Sequence, residues 1–177
     1  MPSMKFRQVA VYTDATFKVP QGVQRIDHLS THGWQLRYGG TKFYADASAD
    51  DAGAQASLAA ATAELVKRIA KLPAPTSLQA APSVNKTSNL PSGIFGPVVH
   101  RRKGAKVRTS SLSVLVPRFG LPPKRRTIYI GSENTYTEQR YRLALAKALE
   151  IRSEAEEAYR VAATRAKRAQ GRALKAA

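Results

Sequence analysis

Between Leu72 and Ser92 the chain reads LPAPTSLQAAPSVNKTSNLPS, with Pro73, Pro75, Pro82 and Pro91 spread among Ser, Thr, Ala and Asn. Proline fixes φ and has no amide hydrogen, so spacing this dense interrupts helices and sheet ladders alike. The stretch predicts a semi-extended linker and divides the chain into 1–73, 74–92 and 93–177. Each flank has room for one small module. With 43% apolar residues the flanks can build cores, so this is not merely a disordered basic tail.

Charge narrows the partners. Lys and Arg number 29 against 12 Asp and Glu, a formal +17. Self-repulsion on that scale calls for an anionic partner, nucleic acid or an anionic membrane surface. The excess is uneven: Met1 to Pro73 holds nine basic and six acidic residues, Gly93 to Gly131 nine basic and none acidic, and Ser132 to Ala177 ten basic and six acidic. The middle block is the most cationic surface. The absence of Cys excludes disulfides, thiolate nucleophiles and Cys-containing zinc fingers. No apolar run approaches the roughly 18 residues of a membrane span, and Met1 to Ala10 lacks the apolar core of a secretory signal, so the chain is expected to be soluble, cytoplasmic and nucleoid-associated.

In the first flank, Lys5 to Tyr12 alternates loosely as a first strand, and Gly22 to Leu29, Gly33 to Tyr38 and Thr41 to Ala45 are short β-rich runs. Gly39-Gly40 between the last two fits a two-residue hairpin. Ser48 to Ile69 changes to helical period through Leu58, Leu65 and Ile69, opened by Asp50-Asp51, which complement a helix N-terminus. The second flank repeats the order. Ile94 to His100, Ser110 to Val116 and Arg126 to Gly131 are strand candidates, with Phe119 to Lys124 expected as a Pro-broken loop. Thr135 and Glu138 fit a capping box for a helix that runs on through Ala-, Glu- and Arg-rich sequence to Gln170. VPQGV at Val19 matches LPSGI at Leu90, and TKFYAD at Thr41 matches RTIYIG at Arg126, in the manner of a diverged repeat. The expected fold class is α+β, two modules of a three-stranded antiparallel sheet packed on one helix, the second helix extended.

GVQRIDHLSTHGWQLRYGGTKFYAD (Gly22 to Asp46) and RTIYIGSENTYTEQRYRLALAKAL (Arg126 to Leu149) resemble the Apetala-type, ethylene-response-factor-like DNA-binding domain in its bacterial and phage branch. The resemblance implies two diverged copies whose sheets enter the major groove of duplex DNA while the opposite sheet faces pack on the helices. Strand alternation then assigns faces. Trp34 and Leu36 turn to the helix and Gln35 and Arg37 to DNA; Phe43 and Ala45 turn inward, Lys42 and Tyr44 outward; Gln24 is outward and His28 lies near the loop. Arg can read guanine and Gln adenine bidentately, whereas Tyr44 is as readily a cross-strand partner as a groove contact. In the second copy Ile128 and Ile130 point inward, Thr127 and Tyr129 outward. Its middle strand puts Leu112, Val114 and Val116 inward and offers only Ser111, Ser113 and Leu115 outward, a departure from the family's polar readers. Arg101, Arg102, Lys103, Lys106, Arg108, Arg118, Lys124, Arg125 and Arg126 flank that strand where they suit phosphates, which position a protein without specifying sequence.

No nuclease, P-loop, Rossmann or metal-ligand spacing is present, and His28, His32 and His100 are scattered, so the chain reads as a non-enzyme with no metal and no cofactor. Ala144, Ala148, Ala155, Ala158 and Ala162 permit either a solvated single helix or a homodimer through it. The expected function is a sequence-specific transcriptional regulator on double-stranded DNA. The alternatives are an architectural or phage DNA-coating protein of low specificity and a basic structural protein of a ribonucleoprotein particle; a membrane partner is not expected, since the helices lack bulky apolar faces.

Overall fold

A computed structural model describes residues 4–79 and 81–176. Residues 1–3, which open both the expected first module and the stretch read for a signal, and residue 177 of the expected second module lie outside the described residues. The chain is α+β, with one two-stranded and two three-stranded antiparallel sheets and two helices among the described residues. It divides into two compact units, Met1–Ala74 with Thr164–Ala177, and Pro75–Ala163. No described helix is long and apolar enough to cross a membrane.

In the first unit, β1 (Phe6–Ala10) pairs with β2 (Thr16–Pro20), and β3 (Val23–His28), β4 (Thr31–Arg37) and β5 (Thr41–Ala45) form the larger sheet in chain order. The 21-residue α1 (Asp51–Lys71) covers one face of it. Asp50 caps that helix by accepting from the Gly53 amide at 2.8 Å. Leu72 ends it in extended conformation, as a residue before proline prefers. Gly53, Ala54, Ser57 and Ala61 line the buried stripe of α1, and their small size lets the helix lie close to the sheet. Trp34 is fully buried there and donates from Nε1 to the Ala54 carbonyl at 2.8 Å, satisfying its one polar atom. Leu36, Val23, Val19, Leu65 and Ile69 complete the core.

In the second unit, β6 (Ile94–His100), β7 (Thr109–Arg118) and β8 (Leu121–Ser132) form the sheet, and the first part of the 39-residue α2 (Glu138–Ala176) packs on it. Ile94, Leu112, Val114, Ile128 and Ile130 meet Ala144 and Ala148 of α2 in the core. These two alanines are therefore used against the unit's own sheet.

Four expectations about individual elements change. The strand β2 adds to those expected. The capping residue of α2 is Thr137, which accepts from the Arg140 amide, while Thr135 accepts from the Ser132 amide in the preceding turn. The expected loop over Phe119 to Lys124 is a tight turn at Phe119-Gly120 followed by the start of β8. Pro122 and Pro123 are tolerated because β8 is an edge strand. Finally, Tyr38-Gly39-Gly40 is a three-residue connection, not a two-residue one, so Arg37 pairs with Thr41 and Gln35 with Phe43. One extra residue in the turn shifts the register by one and exchanges the faces of β5. The residues Thr164–Ala177 also differ from the sequence division, grouping with the first unit, where Gly171 lies against Ile69 and Lys167 over the Tyr38 ring.

Candidate nucleic-acid interface

The face of the first sheet away from α1 follows from register. Gln24 pairs with Gln35 and Gln35 with Phe43, so these three form one row, flanked by a row of Arg37 and Thr41 and a row of Ile26, Gly33 and Ala45. His28 lies exposed at the end of β3, opposite Thr31. Gln35 and Arg37 stand where alternation placed them, joined by a hydrogen bond from Arg37 Nε to Gln35 Oε1. Lys42 and Tyr44 do not. They share the α1 side with Leu36 and Trp34, their cross-strand partners. Tyr44 packs on the core with its hydroxyl buried and without a partner, and Lys42 stays exposed with Nζ 5.0 Å from the Tyr44 ring centroid. Phe43 takes their place on the open face, 39% exposed and lying over Gly33, where a Cβ would fall 2.6 Å from its ring. Sequence reasoning missed Phe43 because it assumed the shorter turn. It also missed Arg7, which donates to the Val23 carbonyl and, with Lys5, Gln24 and Arg37, lines a cleft beside β3; the signal was the unrecognised β1–β2 hairpin.

The carboxylates of this sheet are sorted to the other side. Arg25, opposite Trp34, is nearly buried and pairs with Asp27 at 2.8 Å and Asp46 at 2.6 Å, its guanidinium 5.1 Å from the Trp34 ring centroid. Burial pushes the Asp27 carboxyl up, but hydrogen bonds from Arg25 and His32 outweigh it and hold the group below its ordinary value. Among the described residues the open face of β3-β4-β5 carries no Asp or Glu. Its donors therefore point at solvent with no internal anion beside them.

On the second sheet, Ser111, Ser113 and Leu115 do face away from α2, in rows with Tyr129, with Phe95 and Thr127, and with Arg125. Lys124 and Arg126 alternate to the α2 side of edge strand β8. There Arg126 lines a cleft with Arg140 and Lys147 of α2, two cations that sequence reasoning left out because the helix was weighed as a solvated or self-pairing surface and not as part of the cationic face. The basic segment between β6 and β7 is shaped by Arg101, which donates to the Ala105 and Lys106 carbonyls at 3.0 and 2.7 Å. Arg108 is held by Glu133, and Arg118 donates to the Pro122 carbonyl. Arg102, Lys103, Lys106, Lys124, Arg125 and Arg126 are exposed and carry no ion pair among the described residues. So six of the nine cations are left to outside anions, and three shape the local chain.

No group of three His, Asp or Glu side chains that could hold a metal ion occurs among the described residues. Compared with protein families, curated proteins and solved structures, the chain finds no match in any of the three.

Proposed function

We propose that this protein binds double-stranded DNA as a sequence-specific regulator, with the open face of β3-β4-β5 laid in the major groove. The observation that carries the reading is the sorting on that sheet: Gln24, Gln35 and Arg37 stand together on the carboxylate-free face, while Asp27 and Asp46 are tied to Arg25 on the other. Long amide and guanidinium side chains can form paired hydrogen bonds to adenine and guanine edges, and Phe43 beside them suits a thymine methyl. Lys42 and Tyr44, turned to the helix, drop out of the reading set, and Arg7 enters as a flanking phosphate contact. The second unit adds affinity through its unpaired cations, which engage phosphates whatever the sequence. Two modestly binding units on one chain raise each other's effective concentration.

Selection of bound duplexes from a random pool tests this directly. The expected result is an enriched motif bound several kcal/mol more tightly than scrambled duplex. Enrichment of no motif, with tight binding throughout, would replace the regulator by a coating protein; failure to bind duplex at low salt would remove the reading altogether.

A further inference from the structure

The open face of the second sheet fits poorly into the same role, and the reason is chemical. Its central strand presents Ser111 and Ser113, both buried between larger neighbours on the edge strands, so no long donor rises from the middle of the sheet. What rises instead are rings. Phe95 on β6 is 42% exposed and Tyr129 on β8 is 58% exposed, and they stand diagonally across the two serines. With strands about 4.8 Å apart and about 3.4 Å per residue, the diagonal is about 12 Å, room for a separate base on each ring. Val98 and Thr127 fill out the two ridges, and Lys86 sits with Nζ 5.3 Å from the Phe95 ring centroid.

We propose that this face binds single-stranded DNA by stacking unpaired bases on Phe95 and Tyr129. Exposed rings alone would fit many partners; charge selects among them. From Gly93 to Gly131 the chain has nine cations and no anion, Arg125 shares the face with Leu115, and the exposed Arg102, Lys103 and Lys106 lie in the connection that follows β6. An apolar face framed in this way repels a second copy of itself and attracts a polyanion. In a duplex the base faces are already stacked on one another, so the rings gain nothing there. In a single strand every base has a free π-face, and stacking tolerates any sequence. The proposal rests on the nucleic-acid reading of the second unit and refines which strand state that unit prefers.

The test uses the full chain with fluorescently labelled oligothymidylate, its duplex with oligoadenylate, and oligouridylate, all at one salt concentration. Phe95→Ala and Tyr129→Ala should each weaken binding to the single strand about tenfold and leave duplex affinity within about twofold, while Tyr129→Phe, which keeps the ring, stays near the parent. Both rings lie outside the core, and thermal melts of each variant confirm that folding is retained. Unchanged single-strand affinity in both alanine variants would overturn the proposal, as would equal losses on strand and duplex. Binding of oligouridylate without oligothymidylate would overturn the assignment to DNA. A sedimentation shift from dimer to monomer in the alanine variants, with strand affinity intact, would make the face a self-contact instead. Failure of the parent chain to bind any of the three would instead remove the underlying nucleic-acid reading.

Discussion

On the first three-stranded sheet the central strand sends Gln35 and Arg37 to solvent, whereas on the second the corresponding side is held by Ser111, Ser113 and Leu115. Both sheets bury the alternate residues against a helix, Trp34 and Leu36 in one case and Leu112 and Val114 in the other. The difference therefore lies wholly in what the pleat exposes. A sheet that reads base edges needs reach at its centre; a sheet that only has to hold a polyanion can keep its centre small and move its cations to turns, edges and the helix. Under the proposed function, affinity and discrimination fall on different surfaces, so they can be perturbed separately.

The largest effect is expected at Trp34. Replacing it with Ala removes a fully buried ring that bonds the Ala54 carbonyl, and large aromatic truncations cost about 3–5 kcal/mol. Chemical denaturation followed by circular dichroism should show the first unit unfolding early and the second unit unmoved. A single shared transition that shifts as a whole would mean that the two units fold together. Next comes the charge of the second unit. Changing Arg102, Lys103, Lys106 and Arg125 to Ala should weaken duplex binding about a hundredfold on target and scrambled sequences alike, and should lower the slope of log affinity against log salt by about 0.9 for each phosphate no longer neutralised. A weakening confined to the target would place base reading in the second unit.

A smaller change sharpens the first surface. Arg37→Ala or Gln35→Ala should narrow the gap between target and mismatched duplex by about 1–3 kcal/mol, with scrambled-duplex affinity hardly altered, as measured by anisotropy titration. Lys42→Ala should do neither, since Lys42 lies on the α1 side; a loss of discrimination there would restore the two-residue turn. The smallest effect is acid sensitivity. Asp27 is held below its ordinary value, so the stability it contributes is complete above the ordinary carboxylate range and is lost as the pH falls through the lowered folded value. Emission from Trp34, the one tryptophan, reports that loss in the first unit, and Asp27→Asn should flatten it.

Much of this architecture was legible in the sequence because the signals were local. Alternation placed Trp34, Leu36, Ile128 and Ile130, and Asp50 ahead of an Ala-rich run marked the start of α1. Three of the features that escaped show the physical reasons. The faces of β5 depend on whether two or three residues make a turn, and Tyr38 reads equally well as the end of a strand or the start of that turn; its hydroxyl bond to the Pro73 carbonyl, which belongs to the turn geometry, is a contact across 35 positions. The start of β8 was hidden because Pro122-Pro123 is a breaker everywhere except on an edge, and edges are a property of the assembled sheet. The cleft of Arg126, Arg140 and Lys147 joins a strand to a helix that no periodicity links.

The edge strand β8 has a bearing on how such a chain survives in a crowded cell. It is 12 residues long and has one free side, the kind of border along which a foreign strand can add, chain after chain, until fibres grow. Pro122 and Pro123 offer no amide hydrogen to such a newcomer, and Lys124, Arg125 and Arg126 set three positive charges in a row against any copy of the same strand. The same prolines and cations thus oppose the addition of a further strand along this border, so the edge is guarded by its own sequence and not by a covering element.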